Sequence, residues 1–359
     1  MRRPDCVLAF LRYGLSHGHV SGSSCTINVH AADGSIEVFH TGQEMGQGLT
    51  TKCAMTISMR LGVPLDKIYV HGTNTSVVPN DTVSGGSTTS EALCHAADLA
   101  CDELLERLKP HEETLNKDKK PDEAKATFAE ICGAAFGGGA GPENLSISKK
   151  YMPKDSSVGK GLDSSAYFGL GAAMTEVEVD ILTGQVSVVR SDLLYDCGHS
   201  LNPTIDIGQA EGAFVMGLGF FLQEETMYSP SGELISDGTW EYKPPLYNDI
   251  PEEFNIELLS DSPYKGGVRN SKAVGEPPLL LAITSLGATR AAIRASRVER
   301  GLDPGFTLSV PYAVAAARDL PSVCLAEVMG LVCRATIDRV QQAAEVSPEE
   351  LTLDAAKLA

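Results

Sequence analysis

A mixed α/β or α+β fold is predicted for these 359 residues, and three observations predict it. Two pairs of β-rich runs meet at turn signals, in SCTINVHAADGSIEVFHTG and in MTEVEVDILTGQVSVVRSDLLYD. Other segments, such as LCHAADLACDELLERLKP, repeat their apolar residues at helical spacing. Strand-like and helix-like segments alternate irregularly, which disfavours a regular doubly wound βαβ series.

In chain order, the ADG sequence of the first pair supplies the turn of a hairpin. A glycine-rich loop, TGQEMGQGLT, feeds a helical pattern, TKCAMTISMRLGV, and KIYVHGTNTSVV reads as a strand. VSGGSTTSE then leads into the LCHAADLACDELLERLKP helix. The charged PHEETLNKDKKPDEAK comes next and is expected to form a surface insertion at about residues 109–125. TFAEICGAAF is a short helix ahead of a loop, GGGAGPENLS. The LTG turn centres the second hairpin, and a long apolar helix, IGQAEGAFVMGLGFFLQEETMY, succeeds it. FNIELLS is a strand. Pro277 and Pro278 start a helix through LLLAITSLGATRAAIRASR, since proline suits the first helical position. Beyond about residue 303 one or two more helices are expected, one of them capped at SPEE, residues 347–350.

Composition excludes some functions. Lys and Arg number 29 against 47 Asp and Glu, a net charge of −18, which argues against a nucleic-acid partner. No apolar stretch is read as approaching a membrane span. The N-terminal apolar run VLAFL is too short for a cleaved address, and Arg12 breaks any continuation of it. Nine scattered cysteines without a C-x-x-C pair suit free thiols in a reducing compartment, by default the cytoplasm. No iron–sulfur or zinc ligand set stands out, and the histidines lack metal-binding spacing, so no protein-ligated metal is expected.

Four motifs carry possible chemistry. In residues 41–50, glycines including Gly46 and Gly48 surround Gln47, a loop able to turn backbone N–H groups toward a ligand. It lacks the G-K-[ST] ending of a P-loop and the Rossmann spacing. On these residues alone, a ligand loop and a plain turn stay equally open. In residues 83–91, Gly85 and Gly86 are followed by Ser87, Thr88, Thr89 and Ser90, which read either as an N-cap cluster or, with more hydroxyls than a helix cap requires, as a loop for a phosphate or polyhydroxylated cofactor. Gln209 lies near the start of an apolar helix, where its amide must find partners, and it reads first as a satisfied core glutamine and second as a ligand contact. Glu276 sits in KAVGEPPLLLA, just before a helix N-terminus whose dipole favours negative charge. It reads either as a helix-start carboxylate or as a general base held ionised by that dipole.

Taken together and in this order, EMGQGLTTK, TNTSVVPNDTVSGGSTTSEA, EVEVDILTGQ, SLNPTIDIGQAEGAFVMGLG, TWEYKPP and SKAVGEPPLLLA resemble the molybdenum hydroxylases, the xanthine dehydrogenase and aldehyde oxidase group. DGTWEYK and GGSTTSEALC look closer to the plant-like aldehyde oxidases. The resemblance covers most of residues 13–297 and corresponds to the second half of the molybdopterin-binding domain. It implies that residues 1–300 form that part and 301–359 a helical tail. It implies Glu276 as the catalytic base, and Gly46, Gln47, Gly48, Gly86, Ser87, Thr88, Thr89 and Gln209 as residues holding a molybdenum–molybdopterin cofactor. Thr89 stands where a serine is more usual, which keeps the hydroxyl. The implied reaction hydroxylates an aldehyde or an N-heterocycle with water as oxygen source. The metal is then carried by the cofactor, which accounts for the missing protein ligand set.

The family's 2Fe-2S clusters and FAD belong to upstream domains not found in this sequence. The resemblance therefore implies a partner chain or a longer product that supplies them, a homodimer in that full-length context, and inactivity without them. Two other readings stay open: a non-catalytic remnant that keeps the fold and serves as an interaction module, and nucleotide binding through the glycine-rich loops.

Overall fold

The computed structural model describes residues 2–15, 22–79, 83–137, 142–152, 165–260, 262, 264–306, 308 and 337–345. Two four-stranded sheets, each backed by helices, organise them. The first has the order β4-β3-β2-β5, with β2 at Ser23–Val29, β3 at Ile36–His40, β4 at Ile68–Val70 and β5 at Ser146–Tyr151. β2 and β3 form the first expected hairpin and alternate strictly between buried and half-buried residues. That period of two sends Cys25, Ile27, Ile36 and Val38 to one face. α1 (Leu49–Leu61), α2 (Thr89–Asn116) and α3 (Phe128–Gly137) cover this face. α2 packs through Leu93, Ala96, Ala97, Ala100, Leu104 and Leu108, an apolar stripe at helical spacing.

The second sheet has the order β1-β6-β7-β8, with β1 at Arg2–Leu15, β6 at Tyr167–Asp180, β7 at Val186–Tyr195 and β8 at Glu253–Leu258. β6 and β7 are the second expected hairpin, broken by a bulge at Glu176/Val177. β8 joins β7 in parallel. α4 (Pro203–Leu218) and α5 (Ile283–Glu299) share a core with this sheet through Val177, Leu193, Phe214, Leu218, Leu286 and Ile293. Within it, the hydroxyl of Thr175 bonds those of Ser191 at 3.1 Å and Thr284 at 2.6 Å. These buried polar atoms satisfy one another, as burial demands. α6 (Ile337–Ala344) adds Val340 and Ala343 to the same core, and buried Arg297 donates to Ala343 O at 2.6 Å.

Several elements depart from the sequence reading. β1 and β5 were not expected as strands. β4 is only three residues long within the KIYVHGTNTSVV run. α2 continues through Pro110 to Asn116, so the first half of the charged stretch at 109–125 is helical. Proline forfeits one helical N–H and crowds the preceding turn, and here it falls after the last buried position, Leu108. The chain after Glu276 starts as a 3-10 turn over Pro277–Ala282 before α5 begins. α4 and the π turn Gly219–Gln223 make one apolar helix of 21 residues, long enough by length and composition to cross a membrane. This corrects the reading that no stretch reaches that length, and half of the segment is buried against the rest of the protein. The helix cap expected at residues 347–350 lies outside the described residues.

α4 meets the turn at Pro277–Ala282 with almost no gap. A Cβ on Gly217 would lie 2.4 Å from Leu279 O and 2.6 Å from Ala282 Cβ, whereas one on Gly212 would meet nothing within 4 Å. Gly217→Ala should therefore cost about 1–3 kcal/mol through overpacking. Gly212→Ala should be neutral or gain up to about 1 kcal/mol from helix propensity. Urea midpoints of the two variants provide the check.

Candidate functional site

The segment 271–276 leads from Arg269, which donates to Thr56 O and Asp98 of the first sheet's layer, to the Pro277–Ala282 turn packed on β1, β6 and α4, and it is gripped along its backbone. Lys272 N donates to Cys197 O at 2.7 Å, and Ser271 bridges Gly198. Ala273 is held on both sides: its N–H donates to Tyr167 Oη at 3.0 Å, and Tyr195 Oη donates to its carbonyl at 2.5 Å. Burial pushes both tyrosine hydroxyls far above their ordinary range, so they remain donors at any physiological pH. Tyr167 also donates to Glu91 Oε2 at 3.3 Å, reaching α2 of the first sheet's layer. Lys272 Nζ pairs with the buried Asp196.

Glu276 ends this strap. It occupies the N-cap position of the Pro277–Ala282 turn, with prolines following as the first helical residues, yet its side chain makes no capping bond. Its Oε2 instead accepts from Tyr13 Oη at 3.2 Å. The helix-start reading of this carboxylate therefore describes its backbone position but not where its side chain is directed.

Two loops face the strap. In 41–50, Glu44 accepts from the N–H groups of Gly46, Gly48 and Thr50 at 2.8–3.1 Å. Burial alone would raise this carboxyl, but those bonds outweigh it and hold it below the usual range. Gln47 spends its amide inside the loop, accepting from Met45 N and donating to Gln43 O at 2.7 Å. Gly48 has φ 72°, and a Cβ there would lie 2.5 Å from Ile205 Cδ1, so the loop closes onto α4 only with glycine. The loop 83–91 is tied to the first by Gln43 N donating to Ser84 Oγ at 2.8 Å. Gly86 and Ser87 are both left-handed, at φ 65° and 54°, which turns Ser87 into the space between the loops and the strap. Backbone strain of this kind at a serine often marks a ligand-facing position.

α4 supplies the remaining wall. Asn202 caps it by accepting from Ile205 N, and Pro203 follows. Asp206 and Gln209, three apart, lie on one face. Asp206 is buried and accepts from Lys52 Nζ and Ser200 Oγ, both at 2.6 Å. This pair joins α1 to α4, hence one sheet's layer to the other.

Together these segments enclose a cleft of about 200 Å³. Of the residues singled out from sequence, Gln47, Ser87, Thr89, Gln209 and Glu276 line it. A Cβ on Gly275 would sit 3.3 Å from Gln209 Oε1 and 3.4 Å from Ser87 Oγ, so strap, loop and helix converge at one point. Gly46, Gly48, Gly86 and Thr88 do not line the cleft; Gly46 and Gly86 are exposed. Thr88 is fully buried and donates its hydroxyl to Gly85 O at 3.2 Å, and Thr89 Oγ1 accepts from Gly85 N, so both shape the loop. Ser90, the fourth hydroxyl of the 83–91 loop, also lines the cleft; the sequence reading missed Lys52, Ser84, Glu91, Asp206 and Lys272, which line it too, and Tyr13 beside it. A lysine inside the apolar TKCAMTI run and an aspartate opening an apolar helix were the available signals.

Two helix-backed sheets meet across a cleft lined by amides, hydroxyls and the carboxylates of Glu91, Asp206 and Glu276, the setting of a cofactor-binding domain. The molybdopterin cofactor-binding domain family matches residues 6–251. An indole-3-acetaldehyde oxidase of Arabidopsis thaliana is 40% identical over 305 residues, which cover 80% of this chain and 22% of that protein. A xanthine dehydrogenase of Dictyostelium discoideum is 39% identical over 310 residues, 84% of this chain and 22% of that one. The reconstituted CO dehydrogenase of Oligotropha carboxidovorans superposes with a TM-score of 0.73 at 18% identity, covering 96% of this chain and 41% of that chain. The quinoline 2-oxidoreductase of Pseudomonas putida 86 gives 0.65 at 20% identity, covering 84% and 40%. These solved structures share the fold. The chain belongs to the molybdenum hydroxylase family as a molybdopterin cofactor-binding domain. It spans about a fifth of the length of the curated relatives it matches.

Lys52 and Asp206 have side chains only 11% and 4% exposed. Lys52→Met would strand the aspartate in the interior, and the expected loss is about 3–5 kcal/mol. Denaturant unfolding of the variant measures it, and a loss under about 1 kcal/mol would show that water reaches Asp206.

Proposed function

We propose that this chain is the molybdopterin-holding part of an enzyme that hydroxylates aldehydes or N-heterocycles, with Glu276 as the general base. The observation that carries the reading is the convergence of Glu276, Gln209 and Ser87 on one cleft at the glycine of Gly275. The donor set suits the cofactor. A pterin presents N–H and C=O edges that amides and hydroxyls match, and a glycine in the wall lets a flat group approach closely. Gln209 and Ser87 would hold the group directly. Gln47 and Thr89 line the same cleft, and Gly46, Gly48, Gly86 and Thr88 would keep the two loops in their binding shape. When bound, the molybdenum cofactor supplies the two-electron oxidation that inserts a water-derived oxygen into a C–H bond.

The chain's own contribution is position and proton handling. The 271–276 strap fixes the backbone of Glu276 at the cleft mouth, and its carboxylate takes up a proton there as substrate is attacked. The Lys52–Asp206 pair keeps both charges neutralised at the cleft, so the two together add no net charge to its lining. Electron transfer through 2Fe-2S and FAD centres would reside in the rest of a longer protein or in a partner chain, and turnover would require that portion. We place the activity in the cytoplasm, a reading supported by the free state of all seven described cysteines. The DGTWEYK and GGSTTSEALC motifs support an aldehyde as substrate. Curated relatives of the two branches differ by a single percentage point of identity, so they leave that choice to a substrate assay.

Joined to the upstream portion of the family, the Glu276→Gln protein should lose at least about 100-fold in kcat while keeping its molybdenum content. Metal analysis alongside steady-state rates tests this, and retained turnover would remove Glu276 from the base role. Gln209→Ala should lower bound molybdenum several-fold at unchanged fold, read by metal analysis and circular dichroism, and Gln47→Ala should do so by loosening its loop. Full occupancy in both variants would count against these contacts.

A further inference from the structure

Tyr13 lies 263 positions from Glu276 in sequence, yet its hydroxyl donates to Glu276 Oε2 at 3.2 Å. Its place is fixed by β1, where it pairs with Gly169 of β6. A Cβ on Gly169 would lie 2.8 Å from Tyr195 Oη and 4.0 Å from Pro277 Cβ. The missing side chain thus lets the tyrosine of β7 and the start of the Pro277 turn close in at this register. The half-buried Tyr13 ring packs with Leu15, Tyr167 and Ala273, the group that also grips the strap. The contact to Glu276 is therefore made from a rigid sheet and not from a loop.

A carboxylate at a helix N-cap has an alternative partner close by, the free N–H groups of the first turn. Bound there, it would be satisfied internally and turned from the cleft. Glu276 makes no such bond, and among the described residues nothing donates to its Oε1. We propose that Tyr13 is a positioning residue for Glu276: its hydroxyl occupies Oε2, keeps the carboxylate off the helix terminus, and leaves Oε1 as the proton-accepting atom. This inference rests on Glu276 acting as the base. Burial and then the Glu276 carboxylate both raise the Tyr13 hydroxyl above its ordinary value, so the tyrosine stays a donor while the carboxylate works.

The first test needs neither cofactor nor turnover. In the 359-residue chain labelled with 13Cζ-tyrosine, the Tyr13 resonance is assigned by its loss in Tyr13→Phe and titrated. Its midpoint should fall by about 0.5–1 pH unit in Glu276→Gln, because a neighbouring negative charge is removed. An unmoved midpoint overturns the contact. The second test uses the loaded protein joined to its upstream portion. Tyr13→Phe should lower kcat about tenfold, part of the roughly 10²–10⁴ that a positioned base supplies, with KM little changed. An unchanged kcat, or a loss carried by KM instead, overturns the positioning role. The two assignments fail separately. A Tyr13 midpoint that answers to Glu276 in a protein whose Glu276→Gln form still turns over removes the base, and the positioning role with it. An unmoved midpoint beside an inactive Glu276→Gln form removes Tyr13 alone.

Discussion

The geometry of the cleft depends on how one peptide unit is held. Ala273 has no side-chain chemistry, but both of its backbone groups are bonded to buried tyrosine hydroxyls, from Tyr167 on β6 and Tyr195 on β7. A buried backbone group left unpaired costs about 1–3 kcal/mol, so the strap has a strong reason to occupy this one register. Because neighbouring strands of a well-formed sheet provide the two hydroxyls, the strap inherits the rigidity of that sheet. Three residues later the same backbone carries Glu276. An exposed carboxylate at the end of a largely buried strap is thereby placed with the precision of a core residue.

The opposite wall is built by different means. Loops 41–50 and 83–91 take their shape from glycines, from left-handed Ser87 and from side chains turned back on their own backbone, as with Glu44, Gln47 and Thr88. Much of the polarity that looks destined for a ligand is thus consumed in making the loop. What remains for the cleft is a smaller set, centred on Ser87, Gln209 and Gly275. The Lys52–Asp206 bond then ties this wall to the helix that bears Gln209. Its partners are nearly dry, which makes it costly to break and a specific fastener between the two layers.

Much of this was legible in the sequence, for physical reasons that differ by element. The two hairpins declare themselves because each has a face of alternating burial and a local turn, so periodicity and partner are adjacent in the chain. α2 and α4 declare themselves by stripe and by apolar length. β1 does not, because its partner β6 lies far along the chain, with Arg2 opposite Asp180, and no local turn announces the pairing. The run of α2 past Pro110 was hidden because proline's penalty is smallest where a helix has already left the core. In the site, Glu276 and Gln209 stood out as polar groups set against apolar runs. Lys52 and Asp206, each a charge set against an apolar run, lie 154 positions apart, and nothing local pairs them until the fold brings them together. Tyr13 was invisible for the same reason.

The close approach at Gly217 has a bearing on how the cleft can adapt. With α4 lying flush on the turn that follows Glu276, the amide of Gln209 and that carboxylate ride on a single stiff jaw. Their spacing is a fixed gauge, insensitive to what enters. The other jaw consists of loops whose glycines at 46, 48 and 86 hold left-handed turns, and its lining side chains are what can differ for guests of different girth. Diversification of the pocket by evolution or by engineering is thus best sought among those loop residues, with the gauge left untouched.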